Sequence, residues 1–414
     1  MSILSDQAAP NASVDTITLG AYLGRTSSVA STESSTWPRQ SQLTARYDWY
    51  RHMRAEEPVA CDPETGIWGI FRYSDVHRAL TDVESFGNQL PGVPPDDPIT
   101  GTMLRVDPPR HRQLRNLVNQ AFTGRRIAGM RDRIQALSSA LVADGVRDGQ
   151  IDVVGAVARV LPTQVIGSLL GIDLRLTADF QRWTDAFMQT LMNGADPQQS
   201  AVLAEMDNYF NTMIDQRRRE PGPDLISGAV QADDEGSHLS DRDVLQFAKL
   251  LLIAGSETTT HLITNTVLCL QQDPGLADSA RHDPSMLPRI IEEVLRFVAP
   301  VQVAPRRANR EVRLYDQVIP ADSMVYPWLG SANRDPQAFP RPDLFVLDRT
   351  EGKHIGFGYG IHFCVGAVLA RLETEVVVTT MLRELPGTWE VPEMVTVFPA
   401  HEMCGLSSLP MTWH

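Results

Sequence analysis

The chain has 414 residues, of which 43% are hydrophobic and 21% charged, and its formal net charge is −14. This composition predicts a soluble globular protein with a large core, and the acidic balance disfavours nucleic-acid binding, which needs a basic face. The four cysteines are scattered without a Cys-x-x-Cys pair. That spacing argues against a zinc site and a disulfide framework, and it favours a reducing cytoplasm.

Residues 1–42 are rich in Ser, Thr and Ala, and few of them are large and apolar. We expect them to form a flexible extension. We expect residues 43–414 to form a single domain, because no Pro- or Gly/Ser-rich linker divides them. No apolar run is long enough for a signal peptide or a membrane span, so we expect no membrane anchor and a cytoplasmic location.

The periodicity of apolar residues predicts a helix-rich chain with few strands. In chain order the pattern predicts a helix over residues 47–53, a strand over 66–71, a long Pro/Gly-rich loop over 89–101, mostly helices from 108 onward, and short strands over 312–314 and 323–326. Loops as long as the one predicted here are often functional. The expected fold class is mainly α (α+β), with small β-sheets.

A helix with two cationic side chains on one face is predicted after Asp107, where prolines occupy its first turn. His111 and Arg115 are four residues apart and therefore neighbours on the helix surface. Two such donors together can hold a carboxylate or a phosphate. Taken alone, the pattern favours an ordinary basic surface helix.

A long buried helix is predicted in the middle of the chain. Ser240 to Asp243 has the form of a capping box, and the helical pattern continues to Gln272, which gives about 33 residues and a length of about 50 Å. The segment from Phe247 to Ala254 is apolar on nearly all sides, which predicts burial.

The centre of this helix carries Ala254, Gly255 and Ser256, followed by Glu257 and three threonines beginning at Thr258. An acid and hydroxyl groups inside a buried helix cost free energy unless they serve a function. Gly beside Ser also predicts a kink or a widened turn. The alternative is a helix that reaches the surface at Glu257.

A pair of opposite charges lies in a later helix that is predicted to start near Pro288. Glu293 and Arg296 are three residues apart and share a face. Surface helices contain many such pairs, so a solvated ion pair is the simpler interpretation of this motif alone.

The most informative motif is the sequence Phe-Gly-Tyr-Gly-Ile-His-Phe-Cys-Val-Gly at residues 357–366. Its glycines permit positive φ angles, so that several N–H groups can point at the sulfur of Cys364. The helix-forming run that follows places a helix N-terminus near the same sulfur, which favours a thiolate. These features suit an axial ligand of haem iron; the alternative is a turn with a buried structural cysteine.

The four motifs, in this order, resemble those of the soluble bacterial cytochromes P450, which are haem-thiolate monooxygenases. The resemblance extends from Tyr47 to the C-terminus. It implies the cytochrome P450 fold, a haem b cofactor with Cys364 as the metal ligand, and electrons that come from NAD(P)H through an external ferredoxin and ferredoxin reductase. It also implies a monomer.

The resemblance further implies a role for each matching residue. Glu257 and Thr258 would form an acid–alcohol pair that delivers protons to dioxygen. The other cofactor-binding positions would be His111, Arg115, Arg306 and His362 at the haem propionates, Phe357 beside the thiolate, Gly358, Gly360 and Gly366 in the loop, and Ala254 and Gly255 on the distal face. In the family, Glu293 and Arg296 usually meet a third basic residue where this chain has Leu344, so we expect either that Arg341 replaces it or that the pair stands alone.

The substrate pocket is predicted by analogy with the family. Its expected lining residues are Leu90, Val93, Ile99, Phe187, Met188, Leu191, Leu250, Ile253, Ala254, Val301, Val303 and Met403. This lining is mostly apolar, so we expect the protein to hydroxylate or epoxidise a medium-to-large lipophilic molecule, such as a polyketide or macrolide, a terpenoid or a cyclic peptide. We expect Glu402 to be simply exposed rather than a partner for a basic group on the substrate.

Redox partners would have to dock on the outside, because the chain carries no flavin or ferredoxin module. Arg110, Arg112, Arg125 and Arg126 are candidates for a basic patch that receives an acidic ferredoxin. Three alternatives stay open. They are a peroxide-driven peroxygenase, against which the Glu257–Thr258 pair argues, a non-catalytic haem-thiolate sensor, and a structural protein without haem.

Overall fold

The computed structural model describes residues 16–23, 46–93, 99–194, 196–234, 237–398, 400 and 402–414. Its α-helices are α1 (Leu19–Tyr22), α2 (Arg46–Glu56), α3 (Tyr73–Thr81), α4 (Arg110–Ala121), α5 (Gly124–Ala128), α6 (Arg131–Gly145), α7 (Val160–Leu170), α8 (Thr177–Asn193), α9 (Pro197–Arg219), α10 (Leu225–Gln231), α11 (Asp241–Gln271), α12 (Pro274–His282), α13 (Leu287–Phe297), α14 (Leu329–Ala332) and α15 (Ala367–Glu384).

Its strands are short, with two to four residues each. They are β1 (Thr16–Thr18), β2 (Val59–Cys61), β3 (Trp68–Ile70), β4 (Phe86–Gly87), β5 (Gln150–Asp152), β6 (Asp233–Asp234), β7 (Ser237–His238), β8 (Arg306–Ala308), β9 (Val312–Leu314), β10 (Gln317–Ile319), β11 (Met324–Pro327), β12 (Trp389–Glu390), β13 (Met394–Val397), β14 (Leu406–Ser408) and β15 (Pro410–Trp413). The predicted fold class, mainly α with small sheets, is confirmed.

The largest sheet has the strand order β2-β3-β11-β8-β4. β11 pairs parallel with β3 and antiparallel with β8, so segments more than 200 residues apart in the sequence form one sheet. The strands predicted over residues 66–71 and 323–326 are β3 and β11. This sheet places β8, which begins with Arg306, at the edge of the haem-binding region predicted from the sequence.

Part of the predicted N-terminal extension is folded. β1 pairs antiparallel with β13, Leu23 is fully buried, and the Tyr22 hydroxyl donates to Asn265 Oδ1 at 2.6 Å. The expectation of a flexible extension is therefore wrong for residues 16–23, because β-branched threonines suit strand pairing and apolar side chains follow them. The rest of residues 1–42 lies outside the described ranges.

The long central helix begins and ends close to the predicted residues. α11 begins with the predicted capping box, in which the Asp243 N–H donates to Ser240 Oγ and the Ser240 N–H to Asp243 Oδ2. It is α-helical throughout, so the kink expected at Gly255 does not interrupt it. A Cβ at Gly255 would lie 3.0 Å from Ile166 Cγ1. The glycine therefore allows α7 and α11 to approach closely.

One segment of the described chain, Val153–Leu170, is long and apolar enough to cross a membrane by length and composition, and 67% of it is buried inside the protein. This burial is typical of a core helix. The segment consists of one π-helical stretch, Val153–Ala158, and α7. The Thr260 hydroxyl of α11 donates to the Ala158 carbonyl at 2.9 Å, which satisfies a carbonyl where the wider turn ends.

Candidate active site

The loop that contains Cys364 is shaped by two glycines. Gly358 and Gly360 have φ angles of +71° and +72°, which side chains other than glycine rarely adopt. A Cβ at Gly360 would also lie 2.7 Å from the Leu80 carbonyl oxygen. The Cys364 N–H donates to the Phe357 carbonyl at 3.0 Å. This hydrogen bond closes the loop and fixes the backbone position of Cys364.

The sulfur of Cys364 lies at the N-terminus of α15. Burial raises the pKa of the Cys364 thiol above its usual value, and the backbone N–H groups of Gly366 and Ala367 and the charges of Arg115 and Arg371 act in the opposite direction. These four groups stabilise a thiolate. The arrangement therefore suits a thiolate sulfur that binds a metal ion.

Phe357, the first residue of the loop motif, is half-buried and contacts a charged side chain. The Arg371 guanidinium lies 4.5 Å from the centre of the Phe357 ring, and its Nε donates to Glu292 Oε1 at 2.6 Å. His354 Nε2 lies 3.0 Å from Glu292 Oε2. Arg371, Glu292 and His354 were not predicted from the sequence, and together they hold the aromatic ring at the start of the loop.

Four cationic or imidazole side chains from three separate segments lie together next to this loop. The rings of His111 on α4 and His362 in the loop are 4.1 Å apart, centre to centre. Burial, together with the charges of His111, Arg306 and Arg115, lowers the pKa of His362 to about 3. Burial likewise lowers the pKa of Arg306 to about 10. The structure thus brings all four predicted propionate-binding residues into one cluster.

This cluster has unused hydrogen-bonding capacity. The Nε2 atoms of both His111 and His362 are buried and have no hydrogen-bond partner in the described structure. Such orphaned groups cost free energy unless a ligand satisfies them. The carboxylate whose charge acts on His111 and Arg306 is that of Asp107, which already accepts from the Asn88 N–H at 2.8 Å.

The residues present therefore fit a cofactor that carries carboxylates and a metal. Two propionate groups would satisfy the imidazoles and balance the excess positive charge. A thiolate beside them would hold the iron of the same group. Haem carries two propionates and an iron in one molecule. The Cys364 loop and the neighbouring cation cluster therefore suit haem as the bound cofactor.

α11 exposes a narrow face at the positions predicted for the distal side. Ala254 is exposed, and Gly255 and Thr258 are partly exposed, whereas most of the helix around them is buried. The Thr258 hydroxyl donates to the Ala254 carbonyl at 2.7 Å. A small residue and a hydroxyl on the open face of a core helix leave room for a ligand and give it a hydrogen-bonding group.

Glu257 is 9% exposed, so the predicted alternative of a helix surfacing at this residue is wrong. Burial raises the pKa of Glu257 to about 7, the positive charge of Arg159 opposes the rise, and the negative charge of Asp185 adds to it. Arg159 and Asp185 form an ion pair. They also line a polar cavity of about 460 Å³ that is open to solvent, together with Gln181, Gln189 and Gln199.

Replacing Glu257 with glutamine is expected to stabilise the protein at alkaline pH. The pKa of this acid is about 7 in the folded state against 4.5 normally, so the stability that this group contributes is fully present below about pH 4.5 and is lost as the pH rises to about 7. The shift corresponds to about 3 kcal/mol above pH 7. Urea unfolding of the holoprotein at pH 5 and pH 8 measures the difference in unfolding free energy between the two pH values, to which Glu257 no longer contributes in the variant.

The control for this experiment is Glu311→Gln, which changes an exposed glutamate. It is expected to leave the difference in unfolding free energy between the two pH values as in the unmodified protein. If Glu257→Gln also leaves that difference unchanged, Glu257 ionises in the folded state with its ordinary pKa.

Glu293 and Arg296 form a buried ion pair on α13. Arg296 Nη2 donates to Glu293 Oε1 at 2.7 Å and Nε donates to Oε2 at 2.8 Å, and the two side chains are 5% and 2% exposed. The interpretation of a solvated surface pair is therefore wrong. Two parallel hydrogen bonds of this kind fix geometry as well as charge.

The third basic residue of this network is Arg349, so both expectations for it were wrong. Arg349 Nε donates to Glu293 Oε1 at 3.0 Å. Leu344 takes part only through its carbonyl, which accepts from Arg296 Nη2 and Arg349 Nη2, and the Arg341 carbonyl accepts from Arg349 Nη2 at 2.8 Å. The third basic residue lies at 349 rather than near 341 or 344 because an irregular segment brings Arg349 back to α13. Such a segment has no periodic sequence pattern from which this contact could be predicted.

This network is connected to the cysteine loop. Arg296 Nη1 donates to the Asn333 carbonyl at 3.0 Å, and Asn333 Oδ1 accepts from the Ile355 N–H at 2.9 Å. Ile355 lies two residues before Phe357 and is fully buried. The ion-pair network therefore helps to hold the start of the loop that presents Cys364.

The residues predicted to line the substrate pocket lie in different surroundings. Leu250 lines a small cavity with Met103 and Phe247, and Val301 pairs with Met403. Val303 pairs with Trp328 and is buried in a cluster of aromatic side chains. Of the others, Ile99, Phe187 and Ile253 are buried, Leu90, Val93 and Met188 are half-buried, and Leu191 is 40% exposed; residues 94–98 of the predicted loop lie outside the described ranges.

The predicted docking arginines lie near the two ends of α4. Arg110 and Arg112 are exposed at its start, and Arg125 is exposed in α5 just after its end. Arg126 is half-buried, and Arg110 donates to Asp243 Oδ1 at the start of α11. Glu402 is half-buried rather than freely exposed.

Comparisons with known proteins agree with this geometry. The cytochrome P450 family model matches residues 162–410. Cyclomarin C epoxidase CymV from Salinispora arenicola is 38% identical over 350 residues, which cover 80% of this chain and 87% of that protein. Erythromycin C-12 hydroxylase from Saccharopolyspora erythraea is 37% identical over 347 residues, which cover 82% of this chain and 87% of that protein.

The same similarity holds in three dimensions. The structure of cytochrome P450 CYP109Q5 from Chondromyces apiculatus superposes with a TM-score of 0.82 at 37% identity, covering 89% of this chain and 95% of that one. The chain therefore belongs to the cytochrome P450 family of monooxygenases, whose members bind haem through a cysteine thiolate.

Proposed function

We propose that this protein inserts one oxygen atom of O₂ into a medium-to-large lipophilic small molecule, by hydroxylation or epoxidation, and that Cys364 is the axial ligand of its haem. The observation that carries the proposal is the meeting of the Cys364 loop with the unpartnered imidazoles of His111 and His362. Haem supplies dioxygen activation, which an axial thiolate promotes by donating electron density.

The surrounding residues would hold this cofactor in place. His111, His362, Arg115 and Arg306 would bind its propionates, which explains why two buried and two half-buried positive or potentially positive groups lie together. The N–H groups of Gly366 and Ala367 would temper the electron donation of the sulfur. Phe357, held by Arg371, would keep water away from the sulfur.

Glu257 and Thr258 would control proton delivery. A carboxyl group with a pKa near 7 takes up and releases protons readily at neutral pH, which suits a general acid. The solvent-open cavity at Arg159 and Asp185 would supply protons to Glu257. The Thr258 hydroxyl would turn from the Ala254 carbonyl toward the open face of α11 and pass the proton inward.

Thr258→Ala is expected to reduce the fraction of NAD(P)H that yields product at least roughly tenfold, because proton delivery loses its hydroxyl group. Haem content and substrate affinity should stay close to those of the unmodified protein. Product formed per NAD(P)H consumed, with a ferredoxin and its reductase supplied in trans, measures the effect. Thr258→Ser keeps the hydroxyl and should restore coupling; unchanged coupling in the alanine variant would rule out this role.

The substrate class is proposed from two observations. The described side chains predicted to line the pocket are mostly apolar, and the relatives include an epoxidase of cyclomarin C and a hydroxylase of erythromycin. A polyketide or macrolide, a terpenoid or a cyclic peptide would fit. Ferric spin-state shifts on titration with such compounds, followed by product analysis, test this; a substrate that is small and polar would contradict it.

We propose the remaining features on the same basis. Electrons would come from NAD(P)H through a ferredoxin reductase and a ferredoxin that docks at Arg110, Arg112 and Arg125. The protein would act as a cytoplasmic monomer with one catalytic domain over residues 43–414, against which residues 16–23 pack. A peroxygenase on the same fold is the alternative. Turnover with hydrogen peroxide alone, at the rate obtained with redox partners, would favour it, and the buried Glu257 argues against it.

A further inference from the structure

His261 is a buried titratable residue that the proposed mechanism does not use. It lies on α11 four residues after Glu257, on the same face, and it is fully buried. Its Nε2 is 3.3 Å from Glu257 Oε1. Neither ring nitrogen makes a well-directed hydrogen bond in the described structure, so the ring has capacity to accept or donate one with the neighbouring carboxyl.

The imidazole ring is held tightly in this orientation. The Phe398 ring packs against it edge to face at 4.8 Å. A Cβ at Gly405 would lie 2.1 Å from Nδ1. The Phe398 N–H donates to the Gly405 carbonyl at 2.9 Å, so the two residues that enclose the ring are bonded to each other. The absence of a side chain at Gly405 is what leaves room for this ring.

We propose that His261 is a positioning residue for Glu257, and that its neutral Nε2 accepts the hydrogen of the protonated carboxyl group. This rests on the proposed role of Glu257 in proton delivery. A protonated carboxyl and a neutral imidazole satisfy each other without placing charge in the core. The pair keeps a proton stored inside the protein until the carboxyl turns toward Thr258.

The electrostatic surroundings agree with this assignment. Burial lowers the pKa of His261 to about 3 and raises that of Glu257 to about 7, so at neutral pH the imidazole is an acceptor and the carboxyl is often a donor. Arg159 and Asp185, the charged residues that act on Glu257 from the segment before α7 and from α8, oppose each other. Phe398 and Gly405, which enclose His261, carry no charge.

The test is an infrared titration of the resting holoenzyme, which needs no turnover. The carboxylic acid band of Glu257 is assigned by its loss in Glu257→Gln, and its midpoint is measured between pH 5 and 9. His261→Leu removes the acceptor and is expected to lower the midpoint by roughly half to one pH unit, a three- to tenfold loss of proton affinity. His261→Gln, whose amide oxygen can accept in place of Nε2, should restore it.

The outcomes separate this proposal from the proposed function. A midpoint that is unchanged in His261→Leu, or equally low in His261→Gln, overturns the role of His261 and leaves the monooxygenase assignment untouched. Lack of product with competent partners would overturn that assignment and leave the titration unaffected. If the leucine variant does not fold, His261→Phe, which keeps a ring but has no acceptor, takes its place.

Discussion

Replacing Cys364 with serine is expected to abolish oxygenation. A serine hydroxyl is far less acidic than a thiol, so the N–H groups of Gly366 and Ala367 and the charge of Arg115 would no longer stabilise a soft, electron-rich ligand. The reduced protein with carbon monoxide should lose the spectrum typical of thiolate ligation. Product formation with ferredoxin, reductase and NAD(P)H gives the second measurement.

The matched control is Cys61→Ser, at an exposed cysteine in β2. It should keep both the thiolate-type spectrum and the activity. If Cys364→Ser still gives a thiolate-type spectrum, another cysteine is the ligand and the assignment is wrong. Cys269 and Cys404 are both buried, so that outcome would require a different arrangement of the core.

Glu293→Ala is expected to destabilise the protein by about 3–5 kcal/mol, because it leaves buried positive charge without a partner. Arg296 is 2% exposed and Arg349 10% exposed at their side chains, and both donate to this carboxylate. The Val346 N–H would lose its acceptor as well. Urea unfolding of the holoprotein gives the change in free energy, and haem retention during purification gives an independent readout.

Two variants calibrate this result. Glu293→Gln keeps an acceptor oxygen but removes the charge, so its loss of stability should be intermediate. Glu205→Ala breaks an ion pair with Arg182 on the surface and should change stability very little. A loss in Glu293→Ala no larger than that in Glu205→Ala would mean that the buried pair contributes nothing to the fold.

The parts of the site that the sequence predicts correctly are those with local geometry. His111 and Arg115 share a helix face because of their spacing, and the turns at Gly358 and Gly360 follow from the residue type. The capping box at Ser240 sets the start of α11. In each of these cases, neighbouring residues determine the structure, so a short motif contains the necessary information.

The parts that it misses depend on contacts between distant segments. Arg349 reaches Glu293 through an irregular loop, and Arg371 reaches Phe357 through a side-chain orientation that no spacing reveals. His261 lies four residues after Glu257, and this spacing is visible in the sequence. A histidine in an apolar helix, however, is usually an ordinary core residue. His261 is distinguished by the 3.3 Å between its Nε2 and Glu257 Oε1 and by ring nitrogens that have no hydrogen-bond partner in the described structure.

The link from Arg296 through Asn333 to Ile355 bears on the order in which the protein folds. The hydrogen bonds in this link join residues 37 and 22 positions apart, and Arg349 joins Glu293 across 56. Contacts between such distant residues form only after the entropy of closing the intervening loops has been overcome. The cysteine loop is therefore expected to acquire its final shape only after the segments from Glu293 to Ile355 have met, and a copy of the loop transplanted alone into another scaffold is expected to lose that shape.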